Sequence, residues 1–211
     1  IYNLNKSIIN CIGELKIKKY IYFSGIGASL NSLSKRSRAI AKVEKYIQEN
    51  LTHYSIVRPS IVIGEKDKFL KSLLFIFNLS LFIPLFGKGN ARIQPAYVDD
   101  VALAVEKLIL NENFKGKIYE LGGNKIFSYK ELNKFIADEI NKKKFLIPVP
   151  FWVGYLVAFI FEKLSIKLIN REQLALFKED NLVGEECRKF KDLNIKVSDT
   201  KQVIRKIINE Y

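Results

Sequence analysis

Two short apolar runs, "KKYIYFSGIG" at residues 18–27 and "HYSIVRPSIVIG" at residues 53–64, bracket a stretch of helical period, and this order leaves few folds open. Each run is rich in β-branched and aromatic residues and meets glycine, proline or serine, which reads as a buried strand ending in a turn. Between them, residues 35–49 put Ile40, Val43 and Ile47 on one face of a helix. A strand that returns through a helix to a second strand lies parallel to it, so the chain predicts an α/β fold with a parallel sheet. Pro59 cannot donate to a ladder and marks the edge or end of its strand. Upstream, Ile8, Cys11, Ile12 and Leu15 recur at helical spacing, so the sequence opens inside a helix–strand unit.

Further along, "KFLKSLLFIFNLSLFIPLFGKG" reads as an apolar helix broken by Pro84, Gly87 and Gly89. "AYVDDVALAVEKLI" offers Asp99 as an N-cap and Val101, Val105, Leu108 and Ile109 as a buried face. "GKIYELGG" is a short strand and turn. Ser128 and Glu131 form a capping box for a helix that points Leu132, Phe135, Ile136 and Ile140 inward. In "FLIPVPFWVGYLVAFIFEKL", Pro148 and Pro150 place a helix start near Phe151, about a dozen apolar residues before Glu162 and short of the roughly 20 that span a bilayer. That helix reads as a core or subunit contact, or as one lying on a membrane surface with Lys163 and Lys167 toward anionic headgroups. Two helical stretches separated by a polar loop close the chain.

With 211 residues, 48% of them hydrophobic, the chain suits one well-packed domain or a domain with a small appendage. Its net charge of +13 is scattered rather than gathered into a basic helix or an aromatic-studded strand, so no nucleic-acid partner is expected. Cys11 and Cys187 lack a CxxC or histidine neighbour, and the single histidine, His53, fits a solvated or hydrogen-bonded role. Neither a metal site nor a disulfide framework follows, and a reducing compartment is the default. The sequence begins at Ile1 and contains no methionine, which suggests a truncated or processed amino end.

The strand "YIYFSGIGA", the helix after it, "IVRPSIVIG" and "QPAYVDDVALAV" together resemble the extended and atypical short-chain dehydrogenase/reductase superfamily. The segments "KDKFLKSLLFIF", "FLIPVPFWVGYLVAFIFEKL" and "INREQLALFKEDNLV", with "FKDLNIKVSD" after them, look like the alpha-subcomplex subunit 9-like accessory proteins of respiratory complex I and their bacterial relatives. The resemblance covers essentially the whole chain. It implies the carboxyl-terminal half of a Rossmann-like parallel sheet over residues 1–110, with a small, mainly helical subdomain over 111–211. The family's glycine-rich turn would lie before Ile1, so tight NAD or NADP binding is expected only if that half is present, and then in a structural role. Ser24, Pro59, Ser60 and Ile61 would line the nicotinamide side.

Hydride chemistry in this superfamily needs a tyrosine and, one helical turn later, a lysine, both aimed at the nicotinamide. Arg36 and Ile40 stand at those positions in "SKRSRAIAKVE". Arginine, with a pKa above about 12, cannot shuttle a proton near neutral pH, and isoleucine brings neither charge nor hydrogen bond. Lys42 lies on another face and Tyr46 almost three turns on. Ile40 reads instead as an inward core residue contributing about 1.5–3 kcal/mol, and Arg36 as solvated or facing an anionic group. No catalytic residue is assigned.

The expected role is a non-catalytic accessory or assembly subunit of complex I, on the mitochondrial matrix side or the cytoplasmic face of a bacterial inner membrane. Phe151, Trp152, Tyr155 and Phe159 would make any peripheral membrane contact. The alternative is a soluble cytoplasmic NAD(P)-dependent reductase or nucleotide-sugar epimerase or dehydratase. A gene remnant without function is a third reading.

Overall fold

The computed structural model describes residues 2–110, 116–164 and 171–211. Helix α1 (Tyr2–Glu14) precedes β1 (Tyr20–Phe23), α2 (Lys35–Asn50) and β2 (Tyr54–Pro59). Then come β3 (Val62–Ile63), α3 (Lys68–Leu79), β4 (Phe82–Phe86), β5 (Arg92–Ile93), β6 (Ala96–Tyr97) and α4 (Val98–Leu110). The rest comprises β7 (Lys117–Leu121), β8 (Phe127–Ser128), α5 (Tyr129–Glu139), β9 (Phe145–Val149), α6 (Phe151–Lys163), α7 (Arg171–Leu176) and α8 (Thr200–Asn209).

The main sheet is parallel, in the order β1-β2-β7, with Tyr22 opposite Ile56 and Val57 opposite Tyr119. Its central strand is covered on both sides, which is why "SIVRP" shows no alternation of apolar and polar residues. Ile56 packs with Ile9, Val43 and Ile47 beneath α1 and α2. Val57, one residue on, packs with Val101, Ala104, Leu108 and Tyr119 on the α4 side. A third apolar cluster joins Leu70, Leu74 and Phe77 of α3, Ile83 of β4, Leu132 and Ile136 of α5, and Ile204 of α8. The expected boundary at 110/111 falls before β7, which pairs with β2, while α3 and β4 pack with α5 and α8.

Several local expectations are corrected. Helix α3 ends at Leu79, and Pro84 sits inside β4, a strand paired only with β9 among the described residues. One-sided pairing tolerates a residue without an N–H. Helix α4 starts at Val98, so Asp99 lies in its first turn rather than capping it. Its neighbour Asp100 is buried and accepts from the Ser198 amide and hydroxyl at 2.9 and 2.8 Å. Ile109 is exposed, its expected inward place taken by Ala104. On α1 the inward residue is Ile9, while Ile8, Cys11 and Leu15 are exposed. The Ser128 capping box forms as expected, and Phe151 opens α6.

Ile47 is fully buried whereas Ile40 is half-buried and outside the core clusters, so the apolar stripe of α2 does not reach its first turns. Urea denaturation should show Ile47→Ala losing about 2–5 kcal/mol and Ile40→Ala about 1 kcal/mol or less.

Candidate functional site

In an open parallel sheet, ligands bind outside the carboxyl ends of the strands. Here Ser24 stands just past β1, its N–H donating to Val57 O at 2.8 Å while its Oγ is buried without a hydrogen-bond partner. The turn that follows folds back onto β2, with Ile26 N–H donating to Pro59 O at 3.1 Å and Gly27 at φ 85°. Ser60, just past β2, is buried; its N–H donates to Leu121 O at 2.9 Å and its hydroxyl to Asn181 Oδ1 at 2.5 Å. Ile61, Ile26, Gly27, Ser37, Tyr129 and Asn181 line a cleft of about 70 Å³ beside these strand ends. The structure thus brings Ser24, Pro59, Ser60 and Ile61 together at the ends of two adjacent strands.

Above them stands the amino end of α2. Ser34 caps it, its Oγ accepting from Ser37 N at 3.1 Å. Arg36 is exposed and Ile40 half-buried, so the expectation that Ile40 fills the core is overturned. The aromatic hydroxyl of Tyr22 on β1 interacts with Arg36. Burial, then the charges of Tyr20 and Glu44, push its pKa up to about 12 against the pull of Arg36, so it stays protonated at neutral pH.

Sequence reasoning missed three things here. The first is a buried ion triad: Arg58 of β2 donates from Nε to Glu44 of α2 at 2.9 Å and from a terminal nitrogen to Glu120 of β7 at 3.1 Å. A second bond to Glu44 at 2.5 Å makes that pair bidentate. These bonds to Glu44 raise the Arg58 pKa against the cost of burial. Charged residues set inside the apolar runs "SIVRPS" and "IYELGG" were the available signal.

The second is a pair of acidic residues from the carboxyl-terminal segment. Glu172 accepts from Ser34 Oγ at 2.8 Å and Lys35 N at 3.4 Å, and Glu179 from Ser32 Oγ at 3.2 Å and Leu33 N at 3.1 Å. Burial works against ionisation of Glu172, but the Ser34 hydroxyl and the Arg36 and Lys35 amides outweigh it and hold its pKa below the ordinary value. The third is Asn181, whose Nδ2 donates to Ile26 O at 3.2 Å while its Oδ1 holds Ser60, bridging the turns after β1 and β2. Nothing in the sequence pairs residues so far apart.

A dinucleotide needs glycines that let its pyrophosphate approach the backbone closely. A Cβ built on Gly27 meets nothing within 4 Å, and one on Gly25 meets only Pro59 O at 3.9 Å, so neither glycine is held in a tight cradle. Ser24 Oγ is unpaired but buried, and the Ser60 hydroxyl is already engaged. The described residues do not fit a whole dinucleotide. His53 is exposed and bonded to Thr52 Oγ1 at 2.8 Å. Among the described residues no cluster of three or more His, Cys, Asp or Glu could hold a metal ion.

No protein-family model matches the chain. Its homologues are complex I alpha-subcomplex subunit 9-like proteins. The NADH dehydrogenase (ubiquinone) 1 alpha subcomplex subunit 9, mitochondrial, of Arabidopsis thaliana is 32% identical over 85% of this chain and 47% of its own length. The mitochondrial NADH-ubiquinone oxidoreductase 40 kDa subunit of Neurospora crassa is 24% identical over 91% of this chain and 50% of its own. The chain therefore spans about half the length of the curated relatives it matches. Among solved structures, the triphenylmethane reductase of a Citrobacter species superposes with TM-score 0.75 at 17% identity, over 97% of this chain and 70% of that one. A nucleoside-diphosphate-sugar epimerase of Staphylococcus aureus gives TM-score 0.75 at 16% identity, over 95% and 69%. At such identities the likeness shows the fold, an α/β Rossmann-like one.

Two measurements probe this region. Arg58→Met should cost about 3–5 kcal/mol in urea denaturation, because it strands the almost fully buried Glu44 carboxylate. Because Glu172 has a folded pKa below the ordinary 4.5, its stabilisation is fully present above pH 4.5 and disappears as pH falls through the folded value. Glu172→Gln should accordingly flatten the acid limb of stability against pH, with little change in that slope above neutrality.

Proposed function

We propose that this chain serves as a non-catalytic accessory subunit of membrane-bound NADH:ubiquinone oxidoreductase. The observation that carries the reading is the match to named subunits of that complex along 85–92% of the chain in three curated relatives. It is supported by the α2 site, where Arg36 and Ile40 occupy the places of the proton-transfer pair and Tyr22 is held protonated. Where the intact protein holds a dinucleotide, its role is structural, with Ser24, Pro59, Ser60 and Ile61 toward the nicotinamide end. The rest of the nucleotide-binding unit would extend the sheet at β1, whose outer edge has no partner among the described residues.

In this reading α6 supplies a docking face. No helix among the described residues is long and apolar enough to cross a membrane. Along α6, Trp152, Leu156, Phe159 and Ile160 are exposed, with Trp152 at 70%. The expected contact set narrows, since Phe151 and Tyr155 are half-buried with Lys178 over both rings at 5.0 and 4.9 Å. Lys163 and Arg171 lie over the Phe159 ring, Arg171 paired with Glu162 at 2.7 Å, so Lys163 supplies the cationic border that suits the matrix-side or cytoplasmic membrane interface. Lys167 lies outside the described residues.

A soluble reductase or nucleotide-sugar epimerase is the competing reading, and the fold alone favours it. The test is native-gel co-migration of the tagged intact protein from mildly solubilised membranes with NADH:quinone reductase activity. Co-migration is expected; a wholly soluble protein that never meets the complex would return the enzyme reading to first place. The double variant Trp152→Ser and Phe159→Ser should weaken co-migration at least several-fold while leaving the melting temperature within a few degrees, since exposed positions add little to stability.

A further inference from the structure

The amino end of a long helix is a ready place for an anion, because its amides are unpaired and its dipole is positive there. In α2 the anions are the chain's own. Glu172 takes the Ser34 hydroxyl and Lys35 amide at the start of the helix, and Glu179 takes the Ser32 hydroxyl and Leu33 amide in the turn just before it. Both glutamates are half-buried, so their charge is partly withdrawn from solvent and is spent on these donors.

The same segment is anchored on the strand ends. Asn181 joins Ser60 to Ile26 through its side chain, and its backbone pairs with Arg92 O at 2.7 Å and Gln94 N at 3.2 Å. Asp180 adds an ion pair with Arg92 at 2.6 Å. Leu174 is fully buried and lies against Gly154 of α6, so the segment is tied to the apolar face behind it as well.

We propose that residues 172–181 act as an internal ligand, a strap that fills the cleft over the α2 amino end with carboxylates and so excludes phosphorylated substrates. The strap explains why the cleft is only about 70 Å³ despite a fold built to bind there. A sugar nucleotide would have to displace both glutamate side chains from their donors and then meet the repulsion of acidic groups. The inference stands whether or not the chain docks on a respiratory complex.

Hydrogen exchange with mass-spectrometric readout on the intact protein tests it, with UDP-glucose as the phosphorylated probe. In the wild type, amides of residues 32–37 should be protected and UDP-glucose should change nothing. In Glu172→Gln with Glu179→Gln, those amides should exchange about tenfold faster or more, as expected for losing charged hydrogen bonds. Residues 56–58 should be unchanged, and UDP-glucose should slow the freed amides again. Unchanged exchange at 32–37, added protection of the wild type by UDP-glucose, or freed amides that UDP-glucose fails to slow would each overturn the proposal. Should the double variant open residues 56–58 too, Asn181→Ala gives the same reading at residues 26–27 and 32–37, and no acceleration there would overturn it.

Discussion

The guanidinium of Arg58 holds four parts of the structure at once. It lies in the central strand, reaches α2 through Glu44 and β7 through Glu120, and the second oxygen of Glu120 takes the Gly184 amide at 2.9 Å. One cation faces two carboxylates, and each of the four carboxylate oxygens has a donor, which a buried arrangement of this kind needs. Nearby, burial and then the Glu120 charge raise the Cys187 thiol pKa against the pull of Arg58. The contact seats α2 on the central strand together with Val43 and Ile47, which pack against Ile56.

The parallel sheet was legible because its strands are apolar on both sides and a helix of clear period separates the first two. The capping box at Ser128 and the start of α6 after Pro150 were legible because their signals are local. Pro84 misled, since the same residue breaks a helix and is tolerated in a strand with one partner, and periodicity cannot choose between them. Faces were the weakest point. On α1 the stripe through Ile8, Cys11 and Leu15 is as periodic as the one through Ile9, and only the docking of α2 decides which is buried.

The site divides in the same way. Ser24, Pro59, Ser60 and Ile61 sit where strand ends must be, so the fold alone brings them together. The roles of Glu172, Glu179 and Asn181 arise from contacts between distant segments, and such residues look like ordinary solvated polar groups in sequence. The small ribbon of β4 and β9 shows a related ambiguity. Its outer positions Phe82, Phe145 and Ile147 are exposed, with the two phenylalanine rings 5.9 Å apart, although an outward strand face is ordinarily polar.

The triad and the strap also differ in how far along the chain they reach. Glu44 and Arg58 are 14 residues apart, Arg58 and Glu120 are 62, and Ser34 and Glu172 are 138. Loop-closure entropy grows with separation, so the contact between Ser34 and Glu172 carries the largest closure cost of the three. During synthesis, the amino end of α2 is made well before the carboxylates that will cover it, and for that interval the cleft stands open.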